Sequence, residues 1–139
     1  MKKFLAFIVL LLAVLGTNAQ SRTPEHRIVI QLTSGDTTVY AGLFKQMNNL
    51  TSGWGDSVTI EVVCHGPGVN FLMTAKQAYP EKIYAFQKKG IRFVVCENTL
   101  RERKIDRSEI MPGMDYVRMG IAEIVLKQEQ GWSYIKAGN

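Results

Sequence analysis

Short apolar runs alternate with helical ones along this 139-residue chain. Ile28, Val29, Ile30 and Leu32 form the first run, Val58, Ile60, Val62 and Val63 the second, and Ile91, Phe93, Val94 and Val95 the third. Each is rich in β-branched residues and apolar on both faces, which suits strands of a parallel sheet covered by helices. Between the first two, Val39, Leu43, Met47 and Leu50 recur at helical spacing with Tyr40 and Phe44 beside them. Asp36 or Thr37 supplies a cap for that helix, and residues 53–56 its exit turn. The second crossover is less regular. Val69, Phe71, Leu72 and Met73 predict a short helical piece, Pro80 opens a second helix carrying Ile83 and Phe86, and Gly90 closes it in a left-handed position. Pro112 and Gly113 precede a short fourth strand at Tyr116 and Val117. A last helix carries Ile121, Ile124, Val125 and Leu126, stops at Gly131, and yields to a fifth strand at Trp132, Ser133, Tyr134 and Ile135. Five strands alternating with helices predict an α/β fold, a three-layer α/β/α sandwich with a five-stranded parallel sheet.

The amino terminus follows a different pattern. Lys2 and Lys3 precede an unbroken apolar run from Phe4 to Leu15, followed by Gly16 and the small-residue stretch Thr17, Asn18, Ala19. This is the layout of a secretory signal peptide. Its core falls short of the roughly 20 apolar residues that span a bilayer as a stable helix. Residues 1–19 are therefore expected to be cleaved, leaving one domain over residues 20–139, periplasmic or secreted, with no stable membrane insertion. The formal charge of +5 drops to +3 without Lys2 and Lys3. A basic stretch at Arg101, Arg103, Lys104 and Arg107 is interrupted by Glu102, Asp106 and Glu109 and lacks aromatic residues to stack bases, so no nucleic-acid partner is expected.

In a parallel sheet, chemistry gathers beyond the carboxyl ends of the strands. After the first strand, Thr33, Ser34, Gly35, Asp36 and Thr37 read either as an anion-holding helix start or as a plain turn with a cap, and a single glycine favours the latter. After the second come Cys64 and His65. Neighbours on an extended segment point to opposite faces, so the two do not form a nucleophile–base pair with each other. Cys64 reads as a small buried strand-end residue; His65 either orients the Gly66-Pro67-Gly68 loop or faces the site. After the third comes Cys96, where a buried strand meets a helix start, with Asn98 or Thr99 as the expected cap. A helix amino terminus stabilises a thiolate. Arg101, Arg103 and Lys104 add positive potential and Glu97 opposes it. Two cysteines and two histidines without metal-ligand spacing predict neither a metal site nor a cofactor.

Residues 60–68 (IEVVCHGPG), 90–100 (GIRFVVCENTL) and 120–135 (GIAEIVLKQEQGWSYI) together resemble the DsrE/DsrF-like sulfur-relay proteins, in the same order and over nearly the whole of residues 20–139. The resemblance implies the α/β/α sandwich, self-assembly into homo-trimers or hexamers, and, in some members, a cysteine carrying sulfur as a persulfide. Cys96 stands where that cysteine recurs. Cys96 is thus the expected catalytic residue, with His65, Asn98 and Thr99 as substrate-binding residues and sulfur donor and acceptor proteins as partners. Tyr79, Tyr84 and Trp54 are expected on an exposed, self-associating side. Two other readings stand beside this one: a non-catalytic small-ligand-binding module with structural cysteines, and a thiol-disulfide oxidoreductase, which the lack of a Cys-x-x-Cys pair weakens. The resemblance also implies the strand order 4-3-2-1-5, which makes the second and third strands neighbours. At about 4.8 Å such strands fall within the roughly 4.4–6.8 Å that a disulfide requires. Direction then decides the pairing, and Cys96 is expected to be a free thiol at a pocket with Cys64 buried beneath its loop.

Overall fold

The computed structural model describes residues 26–138, Gln77 excepted, so the expected signal peptide at residues 1–19 lies outside the described residues. Strands β1 (His26–Leu32), β2 (Val58–Cys64), β3 (Arg92–Cys96), β4 (Asp115–Val117) and β5 (Ser133–Lys136) form one sheet in the order β4-β3-β2-β1-β5. Every pairing in it is parallel. Helices α1 (Thr37–Trp54), α2 (Pro80–Lys88), α3 (Glu97–Arg103) and α4 (Gly120–Glu129) lie between the strands in the chain. The result is the three-layer α/β/α sandwich that the alternation of runs predicts.

Alternation along each strand divides the interior in two. Ile28, Ile30, Leu32, Ile60, Val62, Cys64, Phe93 and Val95 face a large core completed by Leu43 and Met47 of α1 and Ile83 and Phe86 of α2. Val29, Val63 and Val94 face the other way and meet Ile124 of α4 in a much smaller cluster, with Val117 and Trp132 at its margin. Burial stabilises by about 25 cal/mol per Å² of apolar surface, so the α1–α2 side holds most of the packing free energy. The α4 side holds the smaller share.

Local chemistry sets the element ends. The Asp36 carboxylate accepts from Thr38 N at 2.8 Å and caps α1, while Ser34 Oγ accepts from Asp36 N at 3.1 Å. That segment is a turn plus a cap. Gly68 is pressed onto the end of β1: a β-carbon there would lie 2.0 Å from the Leu32 carbonyl oxygen. The chain from Gly66 to Leu72 accordingly winds as a 3-10 turn against the sheet. Pro80 opens α2, and Gly90 follows its last turn at φ 87°. Tyr79 and Tyr84 prove half-buried against the large core, because α2 turns them inward, and Trp54 stacks on His26 with ring centroids 4.0 Å apart. Trp54 is 42% exposed, as expected, and a further group of exposed apolar side chains lies on α4, where Ile121, Val125 and Leu126 are 57%, 48% and 50% exposed.

Candidate functional site

Register separates the two cysteines. Cys64 pairs with Val95 across β2 and β3, so Cys96 lies one residue further along. Consecutive strand side chains point to opposite faces. Cys64 therefore enters the large core, fully buried, while Cys96 turns toward α4. Both thiols are free. Strand adjacency meets the distance condition for a disulfide, and direction defeats it.

The same alternation carries His65 to the Cys96 side. A β-carbon at Gly120, the first residue of α4, would lie 3.1 Å from His65 Cβ, 3.2 Å from Cys96 Cβ and 3.2 Å from Val63 Cγ1. Cys64 and His65 part at the end of β2, whereas His65 and Cys96 converge on the start of α4. Glycine is the residue that lets the helix come this close.

The expected cap at Asn98 or Thr99 is not what forms. β3 runs straight into α3 with no intervening loop, so Cys96 is both the last strand residue and the helix N-cap, and Asn98 and Thr99 occupy the first turn. This places their backbone amides in the turn that starts at the sulfur-bearing residue. Gly120 N donates to Cys96 Sγ at 3.2 Å. Burial, the largest single influence, pushes the Cys96 thiol pKa up, but hydrogen bonds from the Thr99 hydroxyl and from the backbone amides of Gly120, Thr99 and Asn98 outweigh it and hold the thiol below its ordinary value. Cys64, with burial and no such donors, is pushed far up. The two thiols differ in chemistry because they face opposite sides of one sheet.

Neighbouring groups are pinned around this centre. Thr99 Oγ1 accepts from Gly66 N at 2.9 Å, and Arg103 donates to the Gly66 carbonyl at 3.1 Å, which ties the Gly66-Pro67-Gly68 loop to α3. The Asn98 side-chain oxygen accepts from Arg101 and its backbone N–H donates to the Arg118 carbonyl at 3.2 Å, so that amide lowers the thiol pKa only as a minor, shared donor. Arg107 pairs with Glu97 and lies 4.3 Å from the Tyr116 ring centroid. Hydrogen-bond donors, rather than the basic side chains, lower the Cys96 pKa. Tyr134 of β5 donates to Gln31 Oε1, and the Gln31 amide nitrogen lies 2.8 Å from His65 Nε2. With the amide oriented by Tyr134, Nε2 is the acceptor; burial lowers the His65 pKa and favours this neutral ring. Beside α3, a cavity of about 380 Å³ is bounded by Glu97, Arg101, Lys104 and Arg107.

Several members of this arrangement carried no functional reading in the sequence. Gln31 and Tyr134 join His65 only through strand order β2-β1-β5. Glu61 carried a signal, being the one charged residue of β2. It is fully buried; its Oε2 accepts from Arg92 Nη1 at 2.8 Å and from Lys127 Nζ at 3.0 Å, and its Oε1 has no partner. Burial holds its carboxyl pKa above the usual carboxylate range against the pull of both cations. Among the described residues, no group of three His, Cys, Asp or Glu side chains could hold a metal ion, and no helix is long and apolar enough to cross a membrane.

Comparison with known proteins places this geometry in a wider group. A protein of unknown function from Methanobacterium thermoautotrophicum matches with 33% identity and a TM-score of 0.76, over 80% of this chain and 98% of its own. A conserved protein of unknown function from Bacteroides thetaiotaomicron shares the fold at 21% identity, with a TM-score of 0.62 over 86% of this chain and 99% of its own. No curated protein matches the chain. The family model of the DsrE/DsrF-like family matches residues 26–137, which takes in all five strands, the Gly66-Pro67-Gly68 loop and Cys96, and the chain belongs to that family.

Proposed function

We propose that this protein is an exported sulfur carrier, sulfurtransferase-like, that holds sulfane sulfur as a persulfide on Cys96. The observation that carries the reading is the set of donors on Cys96 Sγ, from Gly120 N at 3.2 Å and from the first turn of α3, which favours the nucleophilic thiolate. The Cys96 thiolate attacks the outer sulfur of a persulfide or polysulfide donor. A sulfur–sulfur bond forms on Cys96 as the donor's own sulfur–sulfur bond breaks, and the donor departs as a thiolate. An acceptor thiolate then attacks the outer sulfur and releases the Cys96 thiolate, with no net oxidation. Thr99 and the Gly120 N–H hold the sulfur anion, and His65 lines the approach.

Cys96 is only 5% exposed, which favours a second reading, a non-catalytic ligand-binding module with structural thiols. Mass spectrometry after incubation with polysulfide separates the two. The carrier gains one sulfur mass on the Cys96 peptide, and Cys96→Ser loses it; an unmodified Cys96 leaves the binding module. Export rests on the residue 1–19 pattern and is tested by amino-terminal sequencing, which should begin at Gln20. Assembly into a homo-trimer or hexamer is supported by the exposed Ile121, Val125 and Leu126 of α4 and is tested by light scattering, where a monomeric mass would refute it.

A further inference from the structure

The sheet-facing stripe of α4 is Gly120, Ile124 and Lys127, spaced along one face of the helix. Each meets a different part of the sheet. Gly120 abuts Cys96, His65 and Val63, Ile124 enters the small apolar cluster, and Lys127 reaches the buried carboxylate of Glu61. Lys127 is held on three sides, by Glu61 at 3.0 Å, Glu123 at 3.4 Å and the Trp132 ring centroid at 4.4 Å. Glu61 is itself braced by Arg92, which also donates to Asp115 at 2.9 Å. The apolar contact on this face is small, so the ionic contact carries a large share of what locates the helix.

We infer that Glu61 and Lys127 act as positioning residues, an ionic clamp at the far end of α4 that seats its first turn and so delivers the Gly120 N–H to Cys96. The inference rests on Cys96 being the working thiol. A buried charge on a strand costs desolvation and returns little net stability. Its geometry here is suited to fixing where a helix sits. Ile124 alone would let α4 slide or tilt on the flat valine surface, whereas a carboxylate at 3.0 Å from Nζ defines both position and rotation.

The test reads the thiolate rather than sulfur loading, so its outcome is distinct from that of the carrier hypothesis. The ultraviolet absorbance of the Cys96 thiolate is titrated against pH, with Cys96→Ser subtracted, and hydrogen exchange is followed at the first-turn amides of α4. In Glu61→Gln the titration midpoint should rise and those amides should exchange several-fold faster. Loss of a negative charge acting only through space would lower the midpoint, so an unchanged or lowered midpoint overturns the clamp. Lys127→Gln leaves Glu61 paired with Arg92 and keeps the test available if Glu61→Gln does not fold. It should show the same pair of changes, and Lys127→Arg should restore both. A raised midpoint in Lys127→Gln without faster exchange at α4 would also overturn the proposal.

Discussion

Replacing Gly120 with alanine puts a single methyl group where three side chains already meet. Its β-carbon would lie 3.1 to 3.2 Å from His65 Cβ, Cys96 Cβ and Val63 Cγ1, tighter than ordinary contact by a few tenths of an ångström on three sides at once. Two of those atoms sit on strand ends and cannot yield without moving backbone, so α4 must back away. Overpacking of this kind costs about 1–3 kcal/mol, against which alanine recovers at most about 1 kcal/mol of helix propensity. The retreat also lengthens the 3.2 Å bond from Gly120 N to Cys96 Sγ. A hydrogen bond to a charged group contributes about 1.5–3 kcal/mol, and each pKa unit corresponds to about 1.36 kcal/mol. Losing most of that bond should raise the Cys96 pKa by about one unit and cut the thiolate fraction near neutral pH about tenfold. Thermal melting and titration of thiolate absorbance on the same preparation give both quantities. A Gly120→Ala protein that melts lower but titrates like the wild type would show that the amide of Gly120 does not hold the thiolate.

Other perturbations follow from the same geometry. Gly68→Ala sets a β-carbon 2.0 Å from the Leu32 carbonyl oxygen, and urea unfolding should show a loss at or beyond the top of the roughly 1–3 kcal/mol range for overpacking. Thr99→Val strips the acceptor from Gly66 N and a donor from Cys96; it should cost about 1–3 kcal/mol by denaturation and raise the Cys96 titration midpoint. Burial lowers the His65 pKa, so below about pH 6.5 the unfolded chain binds the proton more readily. The contribution of His65 is complete above that pH and lost as the pH falls through its folded pKa; the melting-temperature advantage over His65→Gln should shrink accordingly. Thiol counting on unreduced, denatured protein should find both Cys64 and Cys96 reactive, and finding neither would contradict their placement on opposite faces.

The elements were legible because their signals are local. The runs at Ile28, Ile60 and Phe93, the Asp36 cap, Pro80 and Gly90 each depend on residues within a few positions, and each sits where the pattern puts it. The site was legible only in part. Period-two alternation separates Cys64 from His65 on one strand, yet bringing His65 to Cys96 requires the register of β2 against β3, which no single strand encodes. A helix start at the end of β3 is legible, but Asn98 and Thr99 carry the side chains that favour caps, whereas the continuous strand and helix put the cap on Cys96 itself. Gly120 carries no local signal, because the groups that require it to be glycine come from the ends of β2 and β3. Glu61 was visible as a charge within an apolar run, but its partners Arg92 and Lys127 are distant in the chain.

The wall between Cys64 and Cys96 bears on how any sulfur acquired at Cys96 could leave. Redox-active cysteines often sit beside a resolving thiol, and where that thiol is in the same chain discharge is unimolecular and independent of concentration. Here the other cysteine is sealed into the opposite core and has no path to the first. A loaded Cys96 could be emptied only by collision with a thiol on another molecule, so its lifetime would scale inversely with the concentration of that acceptor. Such a protein stores its cargo by default and surrenders it on encounter, and the identity of the recipient, more than the reactivity of the carrier, would set the flux.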